Sequence, residues 1–234
     1  MKLKKLAKRC LRKLHIYVSE EYRHAVNEVD SGINYYNKTL FNASNQKIIF
    51  IHIPKAAGIS IVKALYDRTQ SCHAAAVHYR EENPKLFDSA TKITLVRNPY
   101  SRLISAYNYL QDGGRCEIDE VWRERYIAPY KSINHFVQHG LEKAIQDNAE
   151  HFIPQYQFIY DKDELLVDHI GRVEEINEFE SFVKTIVDRP FNITKNNASK
   201  GDASIDVLTK ASIEVINKLY GQDFEKLNYQ AIIV

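Results

Sequence analysis

Apolar and polar positions along this 234-residue chain fall into two periods. From Ile48 to Ile53 five of six residues are apolar and mostly β-branched or aromatic. That is the pattern of a short strand buried on both faces of a parallel sheet, and a central strand is expected here. Pro54 removes a backbone donor and ends the pairing. Ile93-Thr-Leu-Val96 predicts a second buried strand, and Leu165 to Ile170 a further one. Between them the period lengthens to three and four. Ile59, Val62, Leu65 and Tyr66 predict a helix starting near Gly58, and Tyr100, Leu103, Ile104 and Tyr107 predict another behind Asn98 as N-cap and Pro99 at the first helical position. Further stripes run through Ile176, Phe179, Val183, Ile186 and Val187, and through Val215, Ile216, Leu219 and Tyr220, separated by a polar loop over 191–204. Residues 111–160 are aromatic, charged and loosely helical. Strands alternating with helices predict an α/β fold, a central parallel sheet flanked by helices.

Ahead of the first strand the pattern differs. Leu3, Leu6, Ala7, Cys10, Leu11, Leu14 and Val18 recur at three and four residues among basic positions, which predicts an amphipathic basic helix. Lys2, Lys4, Lys5, Lys8, Arg9, Arg12 and Lys13 place seven cations and no acid in the first thirteen residues, so the net charge of +2 leaves the remainder at −5. Two readings are open. The helix can lie on an anionic membrane through residues 1–18, or it can dock on the domain's core with its charges solvated. Residues 19–46 are polar and read as a linker, which divides the chain into a helix-and-linker segment, 1–46, and a main domain, 47–234.

With 44% hydrophobic and 26% charged residues the composition is that of an ordinary globular domain. The acidic remainder and the lack of a basic stripe argue against a nucleic-acid partner. Cys10, Cys72 and Cys116 form no closed disulfide set and match no zinc spacing, no metal cluster is expected, and no apolar run resembles a signal peptide or membrane span. A cytoplasmic protein is expected, and Asn-x-Ser/Thr triplets such as those at Asn42, Asn192 and Asn197 then carry no glycosylation meaning.

The candidate chemistry sits at the ends of the first two strands. Ala56, Ala57 and Gly58 keep the turn after Pro54 free of bulk, so a ligand can approach its backbone. The N–H groups of the following helix and the charge of Lys55 make that turn an anion site. Arg97 lies at the carboxyl end of the second strand, where open α/β sheets bind ligands, with Ser101 and Ser105 on one face of the next helix. A magnesium-dependent ATP kinase is one alternative, but a Walker A loop needs Lys-Ser/Thr directly after its last glycine, and Ile59 follows Gly58. A non-catalytic, membrane-associated scaffold is the other.

Taken together, Ile51-His-Ile-Pro-Lys-Ala-Ala-Gly-Ile-Ser60 and Val96-Arg-Asn-Pro-Tyr-Ser-Arg-Leu-Ile-Ser-Ala-Tyr107 resemble the 5′-phosphosulfate loop and the 3′-phosphate motif of the carbohydrate sulfotransferases that use 3′-phosphoadenosine 5′-phosphosulfate, including their bacterial members. His73-Ala-Ala-Ala, Pro154-Gln-Tyr, Leu166 to Glu174 and Asn197-Ala-Ser-Lys200 are similar to later parts of that family, so the resemblance covers roughly 47–229. Ala56 and Ile59 stand where the family usually has Thr.

The resemblance implies a P-loop-like sulfotransferase fold and a carbohydrate acceptor. It implies that Lys55, Ala57, Gly58, Ile59 and Ser60 hold the 5′ end of the donor, and Arg97 and Ser105 its 3′-phosphate. Ser199 and Lys200 would close over the nucleotide. Lys55 would stabilise the leaving group and His73 would be the general base, with His52, then His78 and His151, as the other candidates. Arg102 is open between an ion pair and ligand contact, and Gln155 and Arg172 would orient the acceptor or the loops. No metal is required.

Overall fold

A computed structural model describes residues 2–13, 19–30, 47–68, 72–193 and 204–234, with side chains in the first helix from Ala7 to Arg12. The centre is a parallel sheet of three strands, β1 (Ile48–Ile51), β2 (Thr91–Val96) and β5 (His169–Arg172), in the order β1-β2-β5. Ile48 pairs with Thr91 and Ile51 with Thr94, while Ile93 pairs with His169 and Val96 with Arg172. Each parallel crossover carries helices, as such connections require. The first runs through α3 (Gly58–Tyr66), α4 (Ala76–Glu82) and α5 (Pro84–Ser89). The second contains α6 (Pro99–Gln111), α7 (Glu117–Trp122), a π-turn over Arg123–Ile127, α8 (Ile133–His139), α9 (Leu141–Gln146) and a small antiparallel ladder of β3 (Tyr160–Asp161) and β4 (Glu164–Leu165). After β5 come α10 (Ile176–Ile186), α11 (Lys210–Leu219) and α12 (Gly221–Lys226).

One apolar core joins the sheet to α3 and α10 through Phe50, Ile61, Leu95 and Phe179. A second binds α6 to the helices that follow it, through Leu103, Leu110, Phe136 and Ile216. The arrangement is the expected α/β fold.

Three expectations are corrected. β2, not β1, is the central strand among the described residues. β1 nevertheless reads as buried because its outer edge is covered: the Tyr66 hydroxyl accepts from Phe50 N at 2.9 Å and donates to Ile48 O at 3.3 Å, satisfying groups that an edge strand leaves open. The strand expected over Leu165–Ile170 begins later, at His169. Leu166 and Val167 are buried outside the β5 ladder, Leu166 N donating to Ile159 O, and Asp168 starts that ladder by accepting from Lys92 N at 2.7 Å.

The linker reading is corrected over Glu20–Asp30, which forms helix α2 with Ala25 and Val29 buried. α1 (Lys2–Lys13) is helical as expected, and it meets the main domain through ion pairs. Arg9 and Arg12 are largely withdrawn from solvent. Arg9 pairs with Glu120 (Nη2–Oε2 2.9 Å), Arg12 with Glu120 and Glu124 (3.1 and 2.9 Å), and Lys8 with Glu117 (3.2 Å), while Cys10 and Leu11 face outward. The acidic face of α7 thus receives the basic face of α1. Among the described residues no helix is long and apolar enough to cross a membrane.

Candidate active site

The turn leaving β1 is strained on purpose-built positions. Lys55 and Ala57 both have positive φ, 69° and 58°, although neither is glycine. The left-handed conformation costs an L-residue roughly 1–2 kcal/mol, and such costs gather at ligand sites. Ala57 is the N-cap of α3 and offers no side-chain cap, so the helix begins with N–H groups directed at the loop. Gly58 is required for a reason absent from the sequence argument. A Cβ there would lie 1.7 Å from the His52 ring, which packs under the turn and is buried. Burial holds His52 well below the ordinary imidazole range, with His73, Lys55 and His151 adding to the effect. It is a neutral support for the loop.

Lys55 projects from the strained turn over the Tyr109 ring, with Nζ 3.8 Å from the centroid. Its pKa is lowered to about 8, first by burial and then by Arg97, Arg115 and Arg102, against the opposing pull of Asp119. The three guanidinium groups thus add positive potential at the buried amine, against the pull of Asp119. Bringing in an anion offsets that potential.

Arg97 follows β2 directly, and its Nε donates to Ser101 Oγ at 3.2 Å. Ser105 lies one turn further along α6 and is buried. The peptide of Arg97 is held from behind. Gln155, fully buried, accepts from Arg97 N and donates to Arg97 O, while buried Asp223 of α12 accepts from Gln155 N and Tyr156 N at 2.9 Å each. Arg102 is also buried and donates from Nε to Pro54 O at 3.0 Å, tying α6 to the loop, and its Nη2 has no hydrogen-bond partner. It clamps α6 to the turn after β1.

The other wall is a buried polar network. The Tyr109 hydroxyl donates to Asp119 Oδ2 at 2.6 Å, and the same oxygen accepts from Arg115 N and Cys116 N. Burial raises the Asp119 pKa, but His151, Tyr109 and those N–H groups outweigh it and leave the carboxylate below its ordinary value. His151 stacks on Tyr109, 5.2 Å between centroids, and burial lowers it to about 4. Glu150 Oε2 lies 3.1 Å from His73 Nδ1, and the His73 ring meets that of His52 edge-on at 4.6 Å. Oxygens and nitrogens of Asp119, Glu150 and His151 lie within 4.8 Å of one another. Asp119 is engaged as the cap of α7 and Glu150 faces His73, so the trio is a charge network around Lys55 and His73.

The structure thus brings together Lys55, Gly58, Arg97 and His73. Ile59 and Ser60 lie in the first turn of α3, both half-buried. Ser199 and Lys200 lie outside the described residues. His78 Nδ1 accepts from Ala75 N at 3.2 Å and caps α4, and Arg172 donates to Leu227 O and Asn228 O, pinning the C-terminal segment. Gln155 orients Arg97. Sequence reasoning missed Tyr109, Asp119 and Glu150. Tyr109 could have been found, since it extends the Ser101, Ser105 face of α6 by one turn. Asp119 and Glu150 carried no local signal.

A profile of the sulfotransferase family matches residues 38–230. No curated protein and no solved structure matches the chain.

Proposed function

The chain belongs to the sulfotransferase family, and from that premise we propose that it transfers a sulfuryl group from 3′-phosphoadenosine 5′-phosphosulfate to a hydroxyl of a carbohydrate, a cell-surface or lipid-linked glycan. The observation that carries the donor assignment is the buried Lys55 amine on a left-handed turn before an uncapped helix N-terminus, with Arg97, Arg115 and Arg102 adding positive potential there. Two separated sources of positive charge, the α3 turn and Arg97, suit a ligand with anionic groups at both ends. The resemblance of the two strand-end motifs to the carbohydrate branch supports the acceptor class.

When bound, the donor supplies an activated sulfuryl group whose leaving group is a 5′-phosphate. The residues then divide the work. The N–H groups of the α3 turn and Ser60 hold the 5′ end, Lys55 balances charge growing on the leaving oxygen, and Arg97 with Ser105 holds the 3′-phosphate. His73, with a side chain 20% exposed, removes the proton of the acceptor hydroxyl. Positioning and charge account for most of the rate in transfers of this type.

Calorimetry with adenosine 3′,5′-bisphosphate against Mg-ATP tests the donor assignment, because a kinase of related fold prefers the second. A screen of cell-surface glycans and lipid-linked saccharides with radiolabelled donor tests the acceptor class. Tighter binding of Mg-ATP, or no sulfate transfer to any saccharide, would sink the proposal.

A further inference from the structure

We propose that Glu150 is the positioning residue of His73: its buried carboxylate fixes the imidazole as the Nδ1–H tautomer, so that Nε2 is the nitrogen that accepts a proton. The proposal rests on the assignment of His73 as the base. Three observations carry it.

First, Glu150 is buried, 8% exposed, and its Oε2 has no aligned hydrogen-bond donor although His73 Nδ1 is only 3.1 Å away. A buried carboxylate oxygen without a donor is costly, and a charge-assisted bond from Nδ1–H is the available remedy. Catalytic contacts of this kind are often misaligned before ligands bind. Second, Glu150 is ionised. Burial pushes its pKa up, but His73 beside it, chiefly through the charge it carries when protonated, brings it below the ordinary value. An ionised carboxylate can only accept, so the proton between the two groups belongs to Nδ1. Third, the neighbours of His73 do not compete for that role. His52 meets it ring edge to ring, His151 lies at 6.1 Å between centroids and is neutral at ordinary pH, and Asp119 is occupied by Tyr109 and two backbone N–H groups. Lys55 also faces this cluster, its charge acting on His52 and His151.

During transfer the acceptor hydroxyl proton moves to Nε2 as its oxygen bonds to sulfur, and the bond to the 5′-phosphate oxygen breaks with its electron pair. His73 becomes an imidazolium with Nδ1–H still directed at Glu150. The carboxylate stays ionised and stabilises the cation.

The test uses the full chain labelled with ¹⁵N-histidine, the His73 signals being assigned by their loss in His73→Gln. Neutral wild-type His73 is expected to show Nδ1 protonated and Nε2 bare. Glu150→Gln is expected to mix the tautomers, lower kcat by about 10²-fold, the lower bound of what a positioned base contributes, and move the ascending limb of the kcat/KM profile to lower pH by roughly one unit. Affinity for adenosine 3′,5′-bisphosphate should not change. If Glu150→Gln does not fold, Glu150→Asp serves, with a lowered kcat and the limb unmoved because the charge is kept. An Nε2–H tautomer in the wild type overturns the proposal, as does a Glu150→Gln protein that loses thermal stability with the tautomer and limb unchanged. A wild type that shows the Nδ1–H tautomer but transfers no sulfate overturns the assignment of His73 as the base and leaves the Glu150 contact standing.

Discussion

Gln155 grips the peptide of Arg97 with both ends of its amide, Oε1 accepting from N at 2.9 Å and Nε2 donating to O at 2.7 Å. A side chain that satisfies both backbone groups of one residue fixes where that residue's own side chain starts. Gln155→Ala leaves the two groups unsatisfied and lets the guanidinium wander. Affinity for adenosine 3′,5′-bisphosphate is expected to fall about tenfold, the order seen when an outer support is removed. Affinity for 5′-AMP should hardly move. Arg97→Ala should cost more, about 1.5–3 kcal/mol toward the bisphosphate. Calorimetry on both ligands checks this, and equal losses for the two would remove Arg97 from the 3′-phosphate.

Gly58 and His52 make a second coupled pair. Since a Cβ on Gly58 would meet the ring at 1.7 Å, Gly58→Ala must displace His52 or the loop. Overpacking of this kind costs about 1–3 kcal/mol. Chemical denaturation should show that loss, and the double variant with His52→Ala should recover more than the two single changes predict by addition. Simple additivity would mean that the ring is not what Gly58 accommodates.

The strand-end motifs were legible because their signals are local. Buried strands, a proline stop, small residues and helical stripes each occupy a dozen positions or fewer, and the structure puts β1, α3, β2 and α6 where those patterns do. The edge position of β1 was not legible, because Tyr66 covers it from a different element and makes an edge strand look like an internal one. Helix α2 was hidden for a related reason: only Ala25 and Val29 are buried in it, too few to mark a stripe against a polar background. The acid wall of the site is the clearest case. Asp119 and Glu150 stand far from His73 and Lys55 in sequence and are brought to them by α7 and by the turn after α9, so no spacing reveals them.

The basic residues of α1 teach the same lesson, since their composition suggests a membrane while their partners are Glu117, Glu120 and Glu124. The Glu120 side chain is only 6% exposed and is shared by Arg9 and Arg12. A buried pair broken from one side costs about 3–5 kcal/mol, so Arg9→Ala with Arg12→Ala should lower thermal stability measurably, whereas Lys8→Ala, at an exposed pair, should cost below about 1 kcal/mol. With Arg9 and Arg12 engaged, liposome co-sedimentation of the full chain should be no stronger than that of a chain starting near Ser19. Salt-sensitive sedimentation lost on that truncation would instead support the membrane reading.

Lys55 sets the pH dependence of the donor site. Its folded-state pKa of about 8 lies below the ordinary 10.5, chiefly through burial and secondarily through its three arginine neighbours. Between those two values the unfolded chain binds more protons than the folded one, so without ligand the stability term from Lys55 rises with pH across that window. Ligand binding has the opposite sign. An anion favours the charged amine, so its binding takes up a proton above about pH 8, and affinity for adenosine 3′,5′-bisphosphate should fall as the pH passes from about 7 to about 9. Arginine does not titrate there. Lys55→Arg should therefore flatten the affinity profile over the same range while turnover drops, because the fork of a guanidinium does not reproduce a mobile point charge in a turn held at positive φ. Calorimetry in buffers of different ionisation enthalpy counts the proton directly: about one taken up by the wild type above pH 8 and none by the variant. Uptake that persists in Lys55→Arg would assign the titration to another group and remove Lys55 from contact with the anion.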